Sequence, residues 1–154
     1  MSESSSSPDA LALQARITAF VRAFGLHQPD RTPCGQPVPV SEAHALAELD
    51  RESPLLQLEL AARLRLEKST VSRLVSQLIG RGWVQRGKRE GDARLVWLDL
   101  TDTGRKAAAE LGAARAARFA HLLEAIPVDQ RQAVIDALTL LVEASHDHAD
   151  QRPR

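Results

Sequence analysis

Twelve residues near the middle of the chain, Ser69 to Gly80, carry four short hydroxyls, one amide and one arginine, and no acid. Val71, Leu74, Val75, Leu78 and Ile79 recur in this run at the spacing of one buried helix face. At about 100° per residue the opposite face holds Ser69, Arg73, Ser76 and Gln77, with Thr70 on its flank and Ser72 in the same run. Hydroxyls, amides and guanidinium groups are the side chains that reach phosphates and base edges in a major groove. An ordinary solvated helix face carries Glu and Lys instead. Arg73 is the leading single candidate, because its fork can bind guanine bidentately, worth about 1–3 kcal/mol of discrimination.

A second set of cations follows. Trp83 to Gly87 and Arg94 to Leu100 read as strands, joined by Lys88-Arg89-Glu90-Gly91-Asp92-Ala93. Arg86, Lys88, Arg89 and Arg94 surround that turn and suit phosphate or minor-groove contact. The chain of 154 residues has no formal net charge, yet the charge is unevenly spread. Ala62 to Lys106 holds 11 Lys and Arg against 5 Asp and Glu, a net +6, and the remainder holds 9 against 15, a net −6. A basic middle in an acidic frame is a local electrostatic footprint for nucleic acid.

The surrounding elements must position these groups. Aromatics make up only 3%, and Ala and Leu are frequent, which favours helix. Residues 1–7 read as a disordered tail. Pro8 and Asp9 open a first helix with Leu13, Ile17, Phe20, Val21 and Phe24 as its apolar positions, and Gly25 ends it. Four prolines between His27 and Val40 make that stretch a loop. Ser41 is expected to cap a second helix, Glu42 to about Asp50, burying Ala45, Leu46 and Leu49. Ser53-Pro54 has two readings: a direct helix cap, or a short extended piece before a helix near Gln57. Either way Leu60, Ala61 and Leu64 face inward, Arg65 and Leu66 turn, and the next helix runs from about Lys68 to Arg81. Gly82 terminates it. Thr101 caps a long helix to about Ile126, with Leu111, Leu122 and Leu123 apolar. Pro127 starts a last helix striped by Val134, Ile135, Leu138, Leu141 and Val142. The chain is expected to fray from His146, with 149–154 a disordered tail.

The segments Leu60-Ala61-Ala62-Arg63-Leu64, Ser69 to Val75, Gly91-Asp92-Ala93-Arg94 and Leu100-Thr101-Asp102-Thr103-Gly104 together resemble the MarR (multiple antibiotic resistance regulator) family. The likeness is close over about a third of the chain, and helix order fits across most of it. It implies a mainly α fold: a winged helix-turn-helix with a two-stranded β wing and N- and C-terminal dimerisation helices. It implies a homodimeric, double-stranded-DNA-binding regulator, a repressor that answers a small-molecule effector. The recognition helix would enter the major groove and Arg94 of the wing the minor groove, with Asp92 structural and holding Arg94. Residues 41–104 would form the DNA-binding lobe. Helices in 8–26 and 105–148 would form the dimerisation region, through Leu13, Ile17, Phe20, Val21, Phe24, Leu138, Leu141 and Val142. A two-fold dimer sets its recognition helices about one DNA turn (~34 Å) apart, which predicts an inverted-repeat operator. Two departures stand out: Ala93 replaces a second basic residue of the wing, and Leu56 stands where many members have a capping threonine.

Other chemistries are weighed against this. One cysteine excludes an internal disulfide, and a cytoplasmic location is the simplest reading. The N-terminus lacks the features of a secretory signal, and no apolar run is long enough for a membrane span. Redox sensing through Cys34 is weaker than chance cysteine, because relatives of that kind pair it with tyrosines and this chain has none. Zinc sensing could draw on Cys34, Glu42, His44, His121 and Glu124, with Glu48 one turn from His44, yet no compact ligand motif occurs, and no metal or cofactor is expected. No catalytic motif appears, so an enzyme is not expected. A winged-helix protein-interaction module is the remaining alternative. Trp83 and Trp97 are read as packing the wing rather than lining a pocket. A pocket, if built as in the family, would draw on His44, Leu46 and helix five.

Overall fold

The computed structural model describes residues 7–87 and 94–150. The order is α1 (Pro8–Phe24), α2 (Val40–Arg51), β1 (Leu55–Leu56), α3 (Gln57–Leu64), α4 (Lys68–Gly80), β2 (Val84–Gly87), β3 (Trp97–Leu100), α5 (Asp102–Glu124), a 3-10 turn (Val128–Gln130) and α6 (Arg131–Asp150). The chain forms two compact units, residues 1–115 and 116–154.

In the first unit the buried side chains come from the stripes that periodicity identifies. Ala45, Leu46 and Leu49 of α2, Leu60 of α3, Val71, Val75 and Leu78 of α4, and Leu98 of β3 are fully buried in one cluster. Trp83 packs against it, as expected, with Leu64, Leu66 and Ile79. At about 1.5–3 kcal/mol per buried aliphatic side chain, this cluster is what fixes α4 against α2 and α3. The sheet is antiparallel in the order β1-β3-β2. Arg86 pairs with Leu98 and Gly87 with Trp97 across β2 and β3, while Leu55 pairs with Leu98 from the other side. A third strand thus joins the two-stranded wing, and it settles the Ser53-Pro54 alternatives in favour of the extended piece. Ser53 Oγ donates to Asp99 Oδ1 at 2.6 Å and accepts from Leu100 N at 3.4 Å, tying that corner to β3.

Several local expectations need correction. Ser7 belongs to the fold rather than to a tail, because its hydroxyl accepts from Ala10 N at 3.1 Å and caps α1. Ser41 caps nothing: α2 begins a residue earlier, at Val40, so Ser41 falls inside its first turn. After Pro127 the chain makes one 3-10 turn before α6 begins, and α6 continues through His146 to Asp150 instead of fraying. Gly25 ends α1 in the left-handed conformation, as expected.

The faces assigned to dimerisation are largely uncovered in the single chain. On α1, Leu13 is 51%, Ile17 39% and Phe20 44% exposed, Val21 is half-buried, and Phe24 is buried and stacks on Phe20 at 5.3 Å. In the second unit Leu138 and Val142 are about half exposed and Leu141 is half-buried.

Candidate nucleic-acid interface

The interface is built on the helix pair α3–α4. Arg65 ends α3 in the left-handed region, φ 53°, and its N–H and that of Leu66 return to Ala62 and Ala61 carbonyls. This reversal lets α4 cross α3 instead of extending it. With Val71, Leu74, Val75 and Leu78 buried, Ser69, Ser72, Arg73, Ser76 and Gln77 are exposed, and Thr70 is half-buried on the flank. The Arg73 side chain is exposed and makes no hydrogen bond or ion pair with another described residue. Ser76 Oγ donates to Ser72 O at 3.0 Å, so its proton is spent on its own helix and its lone pairs remain for a donor.

Arg86 is exposed on β2, and Arg94, three residues before β3, is exposed as well. Lys88, Arg89, Asp92 and Ala93 lie outside the described residues. The missing threonine at position 56 has its expected consequence. Leu56 caps α3 without a side-chain acceptor, and only the return half of a capping box is made, Leu56 N to Glu59 Oε2 at 3.3 Å.

Several cations of the basic stretch are engaged within the chain. Arg63 bridges Glu52 and Glu48, and the Glu52 hydrogen bond above all raises its already high pKa. Arg105 donates to Leu100 O at 2.9 Å and Asp102 Oδ1 at 2.8 Å. Arg81 pairs with Glu42 at 2.6 Å, Nε to Oε2, and lies over the Trp83 ring at 5.0 Å. Glu42, a candidate metal ligand by type, is 3% exposed and turned to this arginine. Its place could have been read from the sequence: Glu42, Ala45, Leu46 and Leu49 share one helical stripe. His44 is exposed, and no three His, Cys, Asp or Glu gather into a possible metal site among the described residues. Cys34 Sγ lies 2.9 Å from Thr32 Oγ1.

The junction after α4 explains the Leu-Thr-x-x-Gly pattern. Thr101 Oγ1 donates to Gly82 O at 2.6 Å and accepts from Gly104 N at 2.9 Å, so one hydroxyl caps α5 and holds the corner leading from α4 into the wing. Gly82 takes φ +75° there. A Cβ at Gly104 would come 1.9 Å from the Trp83 carbonyl oxygen. A cleft of about 190 Å³ opens beside this corner, lined by Val38, Arg81, Trp83, Ala107, Glu110 and Leu111 among others. Ala107, Glu110 and Leu111 of α5 line it; Leu46 is fully buried and His44 is not among the lining residues.

Residues 36–95 match the model of the MarR family. Over that stretch the winged helix-turn-helix of this chain is similar to that of the MarR family. The transcriptional regulator AdcR of Streptococcus pneumoniae is 34% identical over 70 residues, 46% of this chain and 47% of AdcR. The match thus spans about half the length of that curated relative. A MarR transcriptional regulator of Methanosarcina mazei superposes with a TM-score of 0.70 at 22% identity, covering 89% of this chain and 98% of that one. FabT of Streptococcus pneumoniae, solved in complex with DNA, gives 0.68 at 17% identity, covering 90% and 95%. At these identities the structural likeness is one of fold. No helix among the described residues is long and apolar enough to cross a membrane.

Proposed function

We propose that this protein is a sequence-specific regulator of transcription that binds double-stranded DNA as a homodimer. The observation that carries the reading is the exposed, acid-free face of α4, with Ser69, Ser72, Arg73 and Gln77 open to solvent beside a basic wing. Arg73 and Gln77 read base edges; Ser69, Thr70 and Ser72 bond phosphates or bases, and Ser76 accepts from a donor on a base edge. Arg86, Lys88, Arg89 and Arg94 hold the backbone and the minor groove, with Asp92 setting the wing turn. FabT, a protein of the same fold, is known in complex with DNA.

Residues 41–104 form the DNA-binding lobe in this reading, and 8–26 with 105–148 the dimerisation region. The uncovered stripes of α1 and α6 support it, since apolar faces of this extent mark interaction surfaces. The dimer represses from an inverted repeat and releases DNA when a small molecule shifts the spacing of its two recognition helices. The reaction is one of binding, not catalysis.

The test is sequencing of genomic fragments retained by the purified protein at moderate salt. An enriched inverted repeat with half-sites about one turn (~34 Å) apart is expected. No enrichment, with a protein partner co-purifying instead, would establish an interaction module.

A further inference from the structure

Three elements meet at the end of α4. Arg81 follows the last helical residue, and its N–H still donates to Gln77 O at 3.0 Å. Its side chain reaches back to Glu42, in the first turn of α2, whose carboxylate is 4% exposed. The angle of that contact lies outside a hydrogen bond, so charge holds it. The guanidinium also covers the Trp83 ring, one residue before β2. Thr101 holds the Gly82 carbonyl from the other side, and Gly104 lets α5 approach Trp83.

A buried carboxylate is costly unless paired, and here its partner sits at the hinge between the base-reading helix and the wing. The core leucines fix α4 against α2 and α3, and Trp83, Val84 and Leu98 seat the base of the wing on the same cluster. The Arg81–Glu42 contact adds a charge tie at the corner where α4 passes into the wing. Arg73 and Arg81 are eight residues apart, about 12 Å along a helix at 1.5 Å per residue. A small rotation at the corner therefore shifts Arg73 relative to the wing strands.

We propose that Arg81 and Glu42 are a positioning pair: they hold the recognition helix and wing at the mutual angle at which both meet one duplex, without touching it. The inference rests on the DNA-binding reading and deepens it.

The test uses the full chain with Arg81→Met, Arg81→Lys and Glu42→Gln. Affinity is measured by fluorescence anisotropy for a selected genomic fragment and for its scrambled version. Arg81→Met and Glu42→Gln are expected to weaken selected-fragment binding tenfold or more, with scrambled-DNA binding and the slope of log K on log salt unchanged. Arg81→Lys recovers part of the loss by keeping the charge. A loss equal for both DNAs, or a slope reduced by about one, would overturn the proposal, the latter because it marks a phosphate contact. A second measurement needs no DNA. Amide exchange at Gly82 and Trp83, bonded to Ile79 O and Leu78 O, should quicken at least tenfold in both variants, with Leu46 and Leu49 unchanged. Unaltered exchange overturns the pairing role whether or not the wild type binds DNA. A wild type without sequence preference counts against the DNA-binding reading alone, and the exchange result still decides the pair. If Arg81→Met fails to fold, the isosteric Glu42→Gln carries the test.

Discussion

A single hydroxyl, that of Thr101, illustrates how little freedom some positions have. It donates to one backbone carbonyl and accepts from one amide, joining the end of α4 to the start of α5. Thr101→Ala is expected to cost about 0.5–2 kcal/mol, the usual worth of an N-cap, read as a lower urea midpoint. Gly104→Ala should cost more, on the order of 3 kcal/mol, because the obstructing atom is backbone and the chain itself must shift. Arg73→Ala acts differently. It should leave the urea midpoint within about 0.5 kcal/mol, being an exposed surface change, and weaken binding to the selected sequence by about 1–3 kcal/mol. The Thr101 cap and the exposure of Arg73 were legible in the sequence, one from its place before a helical pattern and the other from the helical period. Glu42 and Arg81 were not paired there, since they lie 39 residues apart on different helices and only the fold brings them together.

At the scale of elements, the helical stripes were the readable signal. Val71, Leu74, Val75 and Leu78 recur with the helical period, and all four are buried. Leu78→Ala should therefore cost about 2–5 kcal/mol in denaturant unfolding, whereas Gln77→Ala next to it should cost less than about 0.5. What the sequence concealed were short elements and starting points. A two-residue strand such as Leu55–Leu56 has no period to detect; it exists because β3 offers Leu98 and Trp97 as partners. At the start of α2 the serine at 41 suggests a cap, whereas the helix begins directly after Pro39. Proline preceding a helix stops it by geometry and needs no hydroxyl.

For the whole molecule, charge and uncovered apolar surface point the same way. Zero net charge hides a basic middle, and several of its arginines serve the fold: Arg63, Arg81 and Arg105 are engaged within the chain. The exposed stripes of α1 and α6 predict a homodimer near twice the 16.8 kDa chain mass by light scattering. Ile17→Glu and Leu138→Glu, each placing a charge on an exposed apolar position, should shift the mass to that of one chain at micromolar concentration. They should also weaken DNA binding, because two half-sites are then no longer held by one particle. A mass unchanged by both substitutions would put the twofold contact elsewhere.

The most direct measurement is an anisotropy titration of the wild-type protein against its selected fragment and a scrambled fragment of equal length, repeated at two salt concentrations. The predicted result is binding of the selected fragment about 10³-fold tighter or more, with both affinities falling as salt rises. Equal affinity for the two fragments at both salts would contradict the account.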